Sequence, residues 1–395
     1  MAKSDNDRDV YVIGVGITQF GVLEEPGPEL LAEATLEAVT DAGVSMQEIE
    51  AIYLGNALGG FSEHQTHMGP LCASTLGLDE VPTTRFEDAC ATSSNALKHA
   101  YMGIVGGFYD LVLVAGVEKT TEATGLDSRG MTQVFATSAH AHYEQPVGLT
   151  FPGVFALMAC RHMYQYGTTE EQMAAVAVKS HHHGVLNPKA HFRKEITVEQ
   201  VLASPIIASP FKLFDCCPFS DGAAAVLLAS AKVARAVHRD RVKILGIGHA
   251  SGTVPLHDKA DLARTSAAER AAQQAYDQAG LGPQDVDVVE LHDCFTSAEI
   301  IATEALGLFD IGTGGPAAEE GRTALGGEIP VNPSGGLKAK GHPIGATGAA
   351  QIVELTDQLL GRCGERQVDR AEIGLAHNLG GDAATTVVTI LGRER

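Results

Sequence analysis

The stretch ATLEAVTDAGVSMQEIEAIYLGN (Ala34 to Asn56) reads a second time as AAQQAYDQAGLGPQDVDVVELHD (Ala271 to Asp293), at a constant offset of 237 residues. In both copies apolar residues recur at helical spacing up to an Ala-Gly pair. A few turn residues follow, and an apolar run closes the unit. Such self-similarity marks a duplicated unit. Outward from it, VIGVG (Val12 to Gly16) is answered by ILGIG (Ile244 to Gly248), and DLVLVAGVE (Asp110 to Glu118) by AEIGLAHNLGG (Ala371 to Gly381). The pattern predicts an α/β fold of two similar halves packed about a pseudo-twofold. The first half takes residues 1–120 and the second 242–395. Residues 121–219 form an inserted loop and cap segment, where loops of this kind often cover a substrate. Residues 220–241 contain SDGAAAVLLAS, a buried strand returning to the first half, and a linker.

Composition narrows the functional classes. A chain of 395 residues with 45% hydrophobic residues and 44 glycines suits a soluble two-part α/β enzyme. No apolar run approaches the roughly 18 residues of a membrane span. The polar start MAKSDNDRDV lacks the apolar core of a signal peptide, so a cytoplasmic location is expected. The net charge of −21 argues against nucleic acid, whose binding needs a basic face. Solubility or adaptation to high salt would both produce such acidity. The cysteines at 72, 90, 160, 216, 217, 294 and 363 form no C-x-x-C pair and no metal-ligand spacing, which argues against a disulfide framework or a zinc site.

Four short segments carry chemistry. In EDACATSSNALKHAYMGIVGG (Glu87 to Gly107), Cys90 follows a strand-like run and opens a helix; the helix N-terminus favours thiolate, although a buried inert thiol would fit the same pattern. In NPSGGLKAKGHPIGATGAAQIVEL (Asn332 to Leu355), His342 sits in a Gly-rich turn ahead of a helix, placed to take a proton at neutral pH. In LHDCF (Leu291 to Phe295), His292 and Cys294 are two apart, so an extended segment points both one way and Asp293 the other. In HNLGGDA (His377 to Ala383), the glycines offer backbone amides to an oxyanion; Asn378 either orients a substrate group or caps a turn. All four lie at strand ends or helix starts, where α/β cores collect active sites.

These residues resemble the thiolase superfamily over nearly the whole chain. DACATSS around Cys90 is similar to the nucleophile motif, and GHPIGATG around His342 to the GHP motif. The chain departs from ordinary thiolases in two places: it has His292-Asp293-Cys294-Phe295 for Asn-Glu-Ala-Phe, and Asn378-Leu379-Gly380-Gly381 for Cys-x-Gly-Gly. The second thiol is thus missing at 378 and present at 294, as in the sterol-carrier-protein-type thiolases. The resemblance implies a five-layered αβαβα core and a thiolase reaction, either Claisen condensation of two acyl-CoA molecules or CoA-dependent cleavage of a 3-ketoacyl-CoA. Cys90 would carry the acyl group, His342 would deprotonate it, and Cys294 would exchange the α-proton. His292 and His342 would serve one oxyanion, and the backbone amides of Cys90 and Gly380 the other. Ser251 would touch the pantetheine arm, and Asn378 would bind substrate. HFRKE (His191 to Glu195) offers basic residues for CoA phosphates. No metal or redox cofactor is implied, since coenzyme A enters as substrate or product. A homodimer or homotetramer is expected, with an OB-fold, zinc-ribbon companion protein as a further partner. The rival readings are a decarboxylating ketoacyl synthase, a retro-aldolase on steroid side-chain CoA esters, and a non-catalytic acyl-CoA scaffold.

Overall fold

The computed structural model describes residues 8–121, 124–237 and 241–394. The first half runs β1 (Val10–Ile17), α1 (Gly27–Ala42), β2 (Ala51–Gly55), α2 (Gly59–Ser62), α3 (Met68–Thr75), β3 (Thr83–Phe86), α4 (Thr92–Val105) and β4 (Leu111–Glu118). Helices α5 (Ser128–Ala136), α6 (Phe151–Tyr166), α7 (Glu170–Val185) and α8 (Val198–Leu202) follow, with the short strands β5 (Ile206–Ala208) and β6 (Phe211–Lys212). Strand β7 (Gly222–Ser230) then returns between β4 and β1, and α9 (Ala231–Val237) comes after it. The second half comprises β8 (Val242–Ser251), α10 (Ser266–Ala279), β9 (Val288–Leu291), α11 (Thr296–Ala305), α12 (Gly314–Glu319), α13 (Gly336–Ala339), α14 (Ile344–Leu360), β10 (Ile373–Gly380) and β11 (Thr385–Arg393).

The duplicated stretch folds the same way twice. Helices α1 and α10 both end on a left-handed glycine, Gly43 at φ 69° and Gly280 at φ 68°. This is the C-terminal stop that only glycine adopts without strain. A single 3-10 turn and a short strand follow in each copy.

Strand order is β3-β2-β4-β7-β1 in the first half and β8-β11-β10-β9 in the second, so β1 corresponds to β8, β7 to β11, β4 to β10 and β2 to β9. A parallel bridge between Val289 and Val331 stands where β3 would be. Two antiparallel pairs, Tyr11 with Lys243 and Val12 with Val242, join the halves into one nine-stranded sheet, an edge contact that the repeat did not announce.

Five layers result. Helices α1 and α3 cover one outer face, α10 and α11 cover the other, and α4 and α14 lie between the two half-sheets. Fifteen of the seventeen residues of α14 are buried, as expected of a helix with no solvent face.

The paired glycines of the opening strands explain the tight outer layers. A Cβ on Gly14 or Gly16 would fall on the carbonyls of Ala38 or Ala34, and one on Gly246 or Gly248 on those of Ala275 or Ala271. Overpacking of this kind costs about 1–3 kcal/mol. Gly248→Ala is therefore expected to lower the thermal unfolding midpoint. Gly21→Ala, whose new methyl meets nothing within 4 Å, is expected to leave it unchanged; calorimetry on both variants checks the contrast.

Candidate active site

Between β3 and α4 the chain makes a strained turn. Ala89 holds φ at +45°, in the left-handed region that an alanine rarely adopts. Thr92 fixes the turn: its hydroxyl accepts from the Asp88 N–H at 2.9 Å and donates to the Ala89 carbonyl. Cys90 is thereby presented just ahead of α4, and the Gly381 N–H reaches its sulfur. Burial, with Glu118, Glu87 and Asp88 nearby, pushes the Cys90 thiol up to about 12. The sequence reading of a thiolate at a helix start is thus corrected. Desolvation outweighs the helix end, and the resting nucleophile is a thiol.

His342 lies in the turn between α13 and α14. Its Nδ1 stands 2.7 Å from Thr347 Oγ1, whose hydroxyl donates to the Pro343 carbonyl at 3.0 Å. A hydroxyl that donates elsewhere must accept here, so Nδ1 carries the proton and Nε2 presents its lone pair. His292 follows β9, with Nδ1 2.8 Å from Asn378 Oδ1; Asn378 Nδ2 in turn donates to Ser94 Oγ at 3.0 Å. The two rings stand at 89° with centroids 4.9 Å apart. Burial holds His292 down at about 4; burial and then His292 hold His342 well below the ordinary imidazole range. Both imidazoles are neutral.

Cys90 Sγ and one ring nitrogen from each histidine lie within 4.8 Å of one another. They open into a cavity of about 340 Å³, where Cys294 joins them. Cys294 is buried and its thiol is raised well above its ordinary value, chiefly by burial and then by Cys217 and Cys90. Asp293 does point the opposite way, accepting the Leu337 N–H at 2.7 Å. The cavity walls come largely from the inserted segment, with Phe135, Phe151, Phe155, Leu213 and Phe219 contributing apolar surface.

Asn378 has another place than expected, while Ser251 and Gly380 line a groove beside the cavity. Asn378 is fully buried and bonded to His292 and Ser94, so it positions a histidine and does not face substrate. Ser251 is exposed at the end of β8 and lines a neighbouring groove with Gly380 and Thr385, not the cavity that holds Cys90. Gly380 pairs with Thr385 at the end of β10, and the adjacent Gly381 amide reaches the Cys90 sulfur. In His191 to Glu195, Arg193 and Lys194 are exposed, while His191 Nδ1 lies 2.9 Å from Ser220 Oγ.

The sequence reading passed over Cys216 and Cys217, which also line the cavity. It also missed the buried Lys338 near them. The adjacent cysteines in DCCPFSDG were the available signal.

A thiol pushed to about 12 has a thiolate fraction that grows about tenfold per pH unit below that value. Iodoacetamide labelling of the Cys90 peptide, followed by mass spectrometry, is therefore expected to accelerate without a plateau between roughly pH 6 and pH 9. A plateau near neutrality would mean a resting thiolate.

The family described as thiolase, N-terminal domain, matches residues 10–232, and the thiolase C-terminal domain-like family matches 248–393. An acetyl-CoA acetyltransferase of Methanothermobacter thermautotrophicus is 46% identical, with 98% of this chain and 100% of that protein covered. Sterol carrier protein 2 of Bos taurus is 36% identical over 96% of this chain and 71% of that protein. Among solved structures, the Ltp2-ChsH2(DUF35) aldolase superposes with a TM-score of 0.85 at 26% identity, covering 98% of both chains. Human mitochondrial 3-ketoacyl-CoA thiolase shares the fold at a TM-score of 0.75 and 18% identity, covering 98% of this chain and 100% of that one. Among the described residues no helix is long and apolar enough to cross a membrane. With both of its halves matched and whole-length relatives well above 30% identity, the chain belongs to the thiolase family.

Proposed function

We propose that the protein is an acyl-CoA acyltransferase that condenses two acyl-CoA molecules, or cleaves a 3-ketoacyl-CoA with CoA, through an acyl group carried on Cys90. The observation that carries this reading is the gathering of Cys90 Sγ and the two histidine nitrogens within 4.8 Å, at a cavity that also holds the Cys294 thiol. The acetyl-CoA acetyltransferase relative supports acetyl-CoA as one substrate.

His342 Nε2 takes the Cys90 proton as sulfur attacks the thioester carbonyl; CoA leaves and an acyl-enzyme remains. The neutral resting pair favours transfer during attack over a standing ion pair. His342 passes the Cys90 proton to the departing CoA sulfur and then receives the Cys294 proton. The Cys294 thiolate removes the α-proton of a second acyl-CoA, and the enolate carbon attacks the acyl carbonyl. The released Cys90 sulfur takes its proton back from His342. In the cleaving direction Cys294 returns the α-proton.

The His292 and His342 Nε2 atoms have no hydrogen-bond partner among the described residues, which suits donors and acceptors reserved for substrate. Donation from His292 to an enolate oxygen requires a proton on Nε2. Rotation of the Asn378 amide supplies that tautomer, with Nδ2 facing His292 and Oδ1 accepting from the Ser94 hydroxyl. The Cys90 amide and the Gly380–Gly381 turn serve the tetrahedral oxyanion. Each such donor is worth about 3 kcal/mol of transition-state stabilisation. Coenzyme A enters as substrate or product, and no resident metal or redox cofactor takes part.

A second reading is retro-aldol cleavage of a CoA ester, supported by the likeness to the Ltp2-ChsH2(DUF35) aldolase. The same likeness supports a DUF35-type companion protein; an OB-fold, zinc-ribbon companion is proposed from the family resemblance. Self-association into a homodimer or homotetramer is proposed from family membership.

Mass spectrometry of the protein with acetyl-CoA is expected to show one acetyl group on Cys90, absent in Cys90→Ala. Cys294→Ala is expected to acylate normally yet lose condensation by about 10²–10⁴-fold, the usual contribution of a positioned acid or base. Full activity in Cys90→Ala would overturn the covalent route in favour of the aldolase.

A further inference from the structure

The fold builds a ligand set that the cysteine spacing gave no hint of. We propose that Cys90, His292 and His342 together bind one zinc-type divalent cation, and that the bound ion holds the site closed to acyl transfer until it is withdrawn.

The three donor atoms come from three separate stretches of chain and lie within 4.8 Å of one another. Zinc–sulfur bonds near 2.3 Å and zinc–nitrogen bonds near 2.0–2.1 Å space tetrahedral ligands roughly 3.3–3.6 Å apart. A shift on the order of 1 Å therefore closes the set around an ion. Both histidines are buried, and their Nε2 atoms have no partner among the described residues. The perpendicular rings let the two nitrogens converge without stacking.

Each ring is also fixed from behind, His342 through Nδ1 to Thr347 Oγ1 and His292 through Nδ1 to Asn378 Oδ1. Metal-bound histidines are oriented by such contacts. With the Asn378 amide unrotated and Nδ1–H donated to these oxygens, both Nε2 atoms offer lone pairs. The metal thus takes the His292 tautomer opposite to the one that donates to an enolate oxygen.

The chemistry of the donors selects the ion. One sulfur and two imidazoles suit zinc or cobalt(II) and not calcium or magnesium, which require oxygen ligands. The nearby carboxylates are engaged: Glu118 accepts from the Ala57, Leu58 and Gly345 amides, and Asp293 from Leu337. Three protein ligands leave the fourth position to water. On binding, the Cys90 S–H bond breaks, its proton passes to solvent, and a metal–sulfur bond forms; nothing is oxidised or reduced. Metal and acyl group compete for the same sulfur, so binding and acylation exclude one another.

Cobalt(II) titration of the reduced, metal-free protein tests this without any turnover, so its outcome is independent of acyl transfer. The expected result is one equivalent bound, with a near-ultraviolet thiolate-to-metal band and the intense visible bands of a tetrahedral ion, both displaced by zinc. The thiolate band is expected to vanish in Cys90→Ala, and Asn378→Ala is expected to weaken binding about 10–100-fold. Should a variant lose its fold by circular dichroism, wild-type protein alkylated at Cys90 serves as the blocked form and is expected not to bind. Binding without a thiolate band, undiminished affinity in Cys90→Ala or in the alkylated protein, or no binding at all would each overturn the proposal.

Discussion

The site depends on a buried carboxylate at the end of β4. Glu118 accepts from the Ala57 and Leu58 amides at 2.8 and 2.9 Å, from Asn56 Nδ2 at 3.0 Å, and from the Gly345 amide at 3.1 Å. The first three donors belong to the loop after β2; the last opens α14 in the other half, three residues after His342. One side chain thus ties the turn carrying His342 to the strands beside Cys90. The approach is close, because a Cβ on Gly116 would fall on the Gly345 carbonyl and one on Gly55 would meet it at 2.8 Å. Burial pushes Glu118 up to about 7, and the backbone donors counter it. Between the ordinary carboxylate value and that one, the folded chain holds a proton that the unfolded chain has lost, so this group's contribution to stability falls as pH rises.

The same burial sets the resting state of the chemistry. Both thiols are raised and both imidazoles lowered, with desolvation the leading cause in every case. A thiolate–imidazolium pair would need solvation that the apolar walls and the neighbouring Glu87, Asp88 and Glu118 do not give. The site therefore waits uncharged, and charge develops only when a thioester oxygen is present to receive it. Such an arrangement suits a reaction that alternates proton removal from sulfur and from carbon, because neither base is held by a permanent counter-ion.

Much of this was legible in sequence where the determinants are local. The Ala-Gly stops of α1 and α10, the Gly-Pro grammar around His342 and the two-residue spacing of His292 and Cys294 are short-range signals, and each appears in the fold. The rest needed partners distant along the chain. Asn378 looked like a turn or substrate residue because His292, which it holds, lies 86 residues away. The contact of Gly381 with the Cys90 sulfur, beside Gly380, turns on where β10 stops pairing with β11, a detail of register. The resting thiol could not be read from a helix start, since the desolvation comes from burial by distant segments. The adjacent Cys216 and Cys217 carry no periodicity and gained meaning only when the insertion folded over the cavity.

Duplication itself accounts for where the chemistry lies. Helices α4 and α14 occupy equivalent places, one from each half, and touch near their starts: the Ala349 amide donates to Ser93 Oγ at 3.0 Å, and a Cβ on Gly348 would meet the Ser94 amide nitrogen at 2.6 Å. Cys90 precedes the first helix and His342 the second. The residues ahead of two symmetry-related helices that meet at their starts must themselves come together, so nucleophile and base are neighbours by the pseudo-twofold alone. What breaks the symmetry is the strand ends beside them. Asn56 follows β2 and Glu118 ends β4, and the two are bonded to each other as scaffold. After β9 and near the end of β10 stand His292 and Asn378, also bonded to each other, but with one ring nitrogen turned into the cavity. The offset of 237 sets Gly55 opposite His292 and Asn56 opposite Asp293, so the two pairs are not counterparts: the second half places a histidine at the strand end where the first has a glycine.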